Sequence, residues 1–166
     1  LVSCDKVDQG CNGGLPSNAF DYVKTAGGMA TEADYPYTSG TGNTGTCTSP
    51  LPKLSGGTVS EWGYSTDKCQ GFRACTEDTE ATIAALKQYG PISIAVDASS
   101  WSSYSGGVMT SSSCSSSPRS MDHAVQLVGY DADEGYWIVR NSWASSWGED
   151  GFIRLKIGEN TCGVIN

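Results

Sequence analysis

Beyond Pro91 the apolar residues of this chain fall at every second position, and that change of period limits the fold more than any other feature. In PISIAVD, Ile92, Ile94 and Val96 share one face, which predicts a half-buried strand. HAVQLVGY and YWIVRNSW are nearly continuous apolar runs, and GFIRLKI alternates again through Ile153, Leu155 and Ile157. Ahead of Pro91 the pattern is helical. In PSNAFDYVKTAGG, Pro16 and Ser17 open a helix, Ala19, Phe20 and Val23 share a face, and Gly27 and Gly28 stop it. TEDTEATIAALKQYGP predicts a second helix with an acidic first turn, Ile83 and Leu86 on one side, and Gly90–Pro91 as its end. TVSEWGY suggests a further strand near 58–64, and SSWSSYSGGVMTSSSCSSSPRS reads as a flexible surface loop tied down by Cys114. A loop-and-helix first part followed by a mostly antiparallel sheet is an α+β arrangement in two lobes.

Composition narrows the function classes. Lys and Arg total 10 against 18 Asp and Glu, a net charge of −8, so a phosphate backbone would be repelled and nucleic acid is not an expected partner. No apolar run approaches a membrane span, and no basic leader with an apolar core is present, so no membrane partner is expected either. The chain starts at Leu1 without an initiator Met and reads as a piece of something longer. Its 7 cysteines form no CxxC pair, the single histidine cannot complete a Cys/His zinc site, and the spacing disfavours the four-cysteine zinc site that remains open, so no metal is expected, and no cofactor either. Disulfides formed in a secretory or lysosome-like compartment account for them better. Seven is odd, so one cysteine lacks a partner within the chain.

His123, the only histidine, opens the apolar run of MDHAVQLVGY. Alone it would read as a structural residue. A second stretch, VRNSWASSWGEDGF, supplies Asn141, Trp143, Trp147 and Gly151. An imidazole acting as a base needs an acceptor on its other ring nitrogen, and an Asn amide oxygen is such a group. The connection DADEGYW is short enough for a hairpin that brings His123 and Asn141 together. Trp143, two residues on, would then face the same side and shield the pair from water. Either tryptophan alone reads as core packing.

Taken in order, SCD, GCNGG, YPY at 35–37, AVDASSW followed by YSGGVM, DHAVQLVGY and NSW…WGEDG resemble the papain-like cysteine proteases, particularly the cathepsin L-like and cruzipain-like enzymes. The resemblance runs from Leu1 essentially to the end. It departs at Ala144, where the family usually has Gly, which bears on a local turn. It implies a papain-like two-lobe fold: the remainder of a helical and loop left lobe over 1–60, and an antiparallel β-barrel-like right lobe over 61–166. It further implies one peptidase domain truncated at both ends.

By the same resemblance His123 is the catalytic imidazole and Asn141 its orienting partner, in acyl transfer by a thiolate–imidazolium pair. In such enzymes the histidine follows the nucleophile by about 130 residues or more, which places that cysteine before Leu1. No cysteine here has the CGSCW context, so Cys4 and Cys11 are not candidates. Family register pairs Cys4 with Cys47 and Cys114 with Cys162. It sends Cys11 to a partner upstream and leaves Cys69 and Cys75 as an extra bridge. Gly13 and Gly14 should run antiparallel to substrate, and the Asp122 carbonyl should accept an amide proton at the scissile bond. Leu15, Pro16, Ala95, Met121 and Ala124 should line the apolar pocket for the second residue before that bond, whose floor falls just beyond Asn166. Trp143 should contact the leaving-group side. With one histidine, the carboxypeptidase-type occluding loop is not expected, which leaves an endopeptidase. Its partners would be polypeptide substrates, an inhibitory propeptide and cystatin-like inhibitors, in a monomer that is lysosomal, vacuolar or secreted. Two competing readings stand beside it. One is a papain-fold homologue without a nucleophile that serves in binding or storage. The other is a Ser-rich disulfide-stabilised module, which leaves the DHAV and NSW stretches unexplained.

Overall fold

The computed structural model describes residues 1–50, 57–66 and 77–166. The chain forms two compact units, Leu1–Gly63 and Tyr64–Asn166.

The first unit is built around one helix. Helix α1 spans Pro16–Ala26, with proline in its first turn. It ends at Gly27, whose φ of 75° is the left-handed conformation that glycine adopts without a Cβ penalty. Val23 is the buried apolar side chain of this unit among the described residues. The remainder is loop held by specific bonds. Cys4 is bonded to Cys47, and Tyr35 Oη lies beside that bridge, 3.1 Å from Ser3 Oγ and accepting from Thr48 N–H at 3.1 Å.

Residues 58–64 form no strand. TVSEWGY has strand-favouring residues, but among the described residues no strand pairs with it. Its tryptophan serves the helix instead: Trp62 Nε1 donates to Asp21 Oδ1 at 2.7 Å, and its ring lies 6.3 Å from that of Phe20.

The second unit carries the sheet. Helix α2 spans Thr79–Tyr89 and is capped by Asp78, whose carboxylate accepts from Ala81 N–H at 2.8 Å. Five strands follow: β1 Ile92–Val96, β2 Val108–Met109, β3 His123–Asp131, β4 Tyr136–Arg140 and β5 Phe152–Lys156. Their order is β1-β3-β4-β5-β2. All pairings are antiparallel except β2 with β5, so the sheet is mixed. That exception lies in the Ser-rich segment, where Val108 and Met109 pair with Arg154 and Leu155. The segment is therefore not simply a loop, and it is tied down by the Cys114–Cys162 disulfide. The sheet's inner face buries Val96, Leu127, Val139, Ile153 and Leu155, with Leu86 of α2 and Trp101 packed into the same cluster.

Candidate active site

The β3–β4 hairpin sets the site. Asp131 begins the turn: its carboxylate accepts from the N–H groups of Asp133 and Glu134, and its carbonyl accepts from Gly135. The ladder runs from Asp131↔Tyr136 to Gln126↔Arg140, with a bulge between Leu127 and Gly129. His123 is thus at the far end of β3, opposite Val96 of β1. Asn141 follows the last residue of β4. Its N–H donates to the Gly151 carbonyl at 2.9 Å, which fixes its backbone to the turn before β5.

His123 Nε2 lies 2.9 Å from Asn141 Oδ1. The same oxygen accepts from Ser142 N–H at 2.8 Å. A backbone N–H can only donate, so the amide atom it meets is the oxygen, and the His123 nitrogen facing that oxygen must carry the hydrogen. The neutral ring therefore keeps its lone pair on Nδ1, the atom free to take a proton. Asn141 is buried, and its Nδ2 has no acceptor among the described residues. The residue is held for its oxygen.

Trp143 covers this pair, its ring 5.1 Å from that of His123 and near-parallel at 28°. Strand alternation does not place it there, because β4 stops at Arg140. The chain turns instead at Ala144, whose φ is 69°. Trp143 is 37% exposed, so it roofs the pair while meeting solvent. Two further tryptophans support it. Trp147 meets Trp143 edge to face at 5.3 Å and stacks on Trp101 at 6.0 Å. Trp101 is fully buried, presents itself at 90° to His123 with centroids 6.3 Å apart, and donates from Nε1 to Cys162 Sγ. The sequence held Trp101 within AVDASSW, but its spacing from His123 gave no sign that the rings meet.

The remaining expected site residues fall within the two units as follows. In the second, Ala95 and Ala124 are direct register partners on β1 and β3, both exposed. Asp122 lies one step before β3; its N–H donates to Val96 O at 3.1 Å, and its carboxylate accepts from Ala98 N–H at 2.8 Å. The Met121 thioether occupies the space that a Cβ on Gly163 would need. In the first unit, Gly13 has φ 105° and ψ −170°, and Gly14 leads to exposed Leu15 and to Pro16, the first residue of α1. Cys11 is free and exposed. Cys69 and Cys75 lie outside the described residues. Among the described residues no group of three or more His, Cys, Asp or Glu side chains could hold a metal ion. No helix there is long and apolar enough to cross a membrane.

Comparison with known proteins meets this geometry. A family model described as papain family cysteine protease matches residues 1–166. A cysteine proteinase of Trypanosoma brucei brucei is 43% identical over 98% of the chain, and cysteine proteinase A of Leishmania mexicana is 41% identical over all of it. The chain spans 34% of the first and 44% of the second, less than half the length of these curated relatives. Among solved structures, a cysteine protease of Carica candamarcensis in complex with E-64 superposes with a TM-score of 0.73 at 30% identity. That match covers all of this chain and 71% of the other. Digestive procathepsin L 3 of Tenebrio molitor gives 0.72 at 30% identity, covering 98% and 50%. Matched along its whole length by the family model, the chain belongs to the papain family of cysteine proteases.

Proposed function

We propose that this chain carries the histidine, the asparagine and the substrate-binding backbone of a cysteine-type endopeptidase whose thiol comes from sequence preceding Leu1. One observation carries the reading: Asn141 Oδ1 holds His123 through Nε2, which leaves Nδ1 as the base. A cysteine thiol gives its proton to Nδ1, and the thiolate attacks the peptide carbonyl carbon. The tetrahedral adduct collapses as the imidazolium protonates the departing amine, leaving a thioester. Water, deprotonated by His123, then hydrolyses that thioester and frees the thiol. Asn141 keeps the ring in one tautomer, and Trp143 lowers the exposure of the bond between them.

Gly13 and Gly14 would pair with the extended peptide, the Asp122 carbonyl would accept from it, and Leu15, Pro16, Ala95, Met121 and Ala124 would receive an apolar second residue. Substrates would be polypeptides, with a propeptide and cystatin-like proteins as inhibitors. The disulfides Cys4–Cys47 and Cys114–Cys162 suit a lysosomal, vacuolar or secreted setting.

The test joins this chain to its own upstream coding sequence. A CGSCW segment there, with cleavage of apolar-second-residue peptides at mildly acidic pH and block by a thiol-directed epoxide, is the expected result. Serine or glycine at the nucleophile position would select a binding or storage homologue. Peptidase activity of the 166-residue chain alone that survives thiol alkylation would refute the assignment.

A further inference from the structure

Gly14 has a neighbour that no side chain could share space with. A Cβ built on it would lie 2.4 Å from Asp8 Cγ and 2.6 Å from Asp8 Oδ2. The carboxylate that fills this space is engaged: Asp8 Oδ1 accepts from Leu15 N–H at 3.1 Å and from Asn18 Nδ2 at 2.7 Å. Asp8 thus closes the loop from Gln9 to Gly14 across its two ends. Inside that loop Gln9 N–H donates to Gly13 O at 2.9 Å, Gly13 N–H to Gly10 O at 3.2 Å, and Cys11 N–H to Thr44 Oγ1 at 3.2 Å. Leu15, at the head of α1, has no side-chain cap of its own, so the acceptor for this helix entry comes from Asp8. Asn18 stands in the first turn of α1. Through it Asp8 ties a mobile type of backbone, two successive glycines, to a rigid element.

We propose that Asp8 is a positioning residue for substrate: packed against Gly14 and bonded to Leu15 N–H and Asn18, it fixes the Gly14 backbone where a peptide would pair with it. The proposal rests on the protease reading above. A glycine backbone already ordered by Asp8 binds peptide without the entropy of ordering it, so loss of Asp8 weakens binding and spares the chemistry.

The test uses the full-length enzyme with two substrates. One is a peptide that extends several residues before the scissile bond. The other is a single amino-acid ester too short to reach Gly14. Asp8→Ala is expected to raise KM for the peptide about tenfold, the scale of a lost hydrogen bond to a charged group, with kcat within about twofold. Hydrolysis of the ester should stay at the parent rate, which a general loss of structure would not allow. Asp8→Asn keeps the oxygen that accepts both bonds and should return the peptide KM to within about twofold of the parent. Equal losses on both substrates, or a parent-like peptide KM in Asp8→Ala, overturn the positioning role alone. A parent enzyme that hydrolyses neither substrate overturns the protease reading, and this one with it.

Discussion

His123 and Asn141 differ in what their removal should do. In the proposed mechanism the imidazole moves the proton, whereas the amide oxygen, bonded to Nε2, keeps the ring in the tautomer that leaves Nδ1 its lone pair. In the completed enzyme His123→Ala should abolish turnover, and Asn141→Ala should lower kcat/KM by about a hundredfold and leave measurable activity. Equal loss in both variants would argue against an orienting role. At Ala144 the cost is conformational. Its φ of 69° burdens a residue with a Cβ, while its carbonyl is fixed by Trp147 N–H at 3.3 Å. Ala144→Gly should raise stability by about 0.5–1 kcal/mol in chemical denaturation, the relief of strain exceeding the greater freedom of glycine in the unfolded chain. A loss of stability would show that the turn is not strained. The meeting of His123 and Asn141 was legible in the sequence because the two residues bound one short hairpin. Trp143 was expected over the pair and lies there, but strand alternation is not the reason, because β4 ends at Arg140 and the chain turns at left-handed Ala144.

Elements formed where local chemistry and partners agreed. Both helices end at glycines that the sequence marks, and α2 begins at an aspartate that caps it. Asp78→Ala should cost about 1 kcal/mol, read as a shift of the urea midpoint with an unchanged slope; no shift would mean the cap bond to Ala81 contributes nothing. Strands β1, β3, β4 and β5 were legible because each has neighbours that bury one or both faces. TVSEWGY had the right residues but, among the described residues, no partner strand, and its Trp62 is engaged with α1. Strand β2 went unread for the opposite reason: two residues in a Ser-rich stretch carry no period, and β5 alone defines them.

For the whole molecule, acid is the informative variable. Burial raises the Asp97 carboxyl, but hydrogen bonds from Ser99 and Ser115 outweigh that and hold it below the ordinary value of 3.8. Arg154 holds Glu149 below 4.5, aided by Gly107 N–H. Each group therefore binds its proton less readily when folded than when unfolded. The stability they confer is complete above the unfolded values and is lost as pH falls through the folded ones. Melting temperature should be level from pH 7 to about 5 and decline below about 4.5, so a mildly acidic compartment lies within the level range. A decline that begins near pH 6 would point to a different titrating group. Both carboxylates hold the second unit: Asp97 joins the end of β1 to the residue after Cys114, and Glu149 joins the turn before β5 to the backbone before β2.

The stacking of Trp143 on His123 also has an optical consequence. An imidazolium accepts an electron from an excited indole far more readily than neutral imidazole does, so emission from Trp143 should dim as the ring gains its proton. Since the chain has a single histidine, only one such quencher exists in it. The Trp143 share of the native fluorescence, isolated by comparison with Trp143→Phe, should therefore report the charge on His123 without a label.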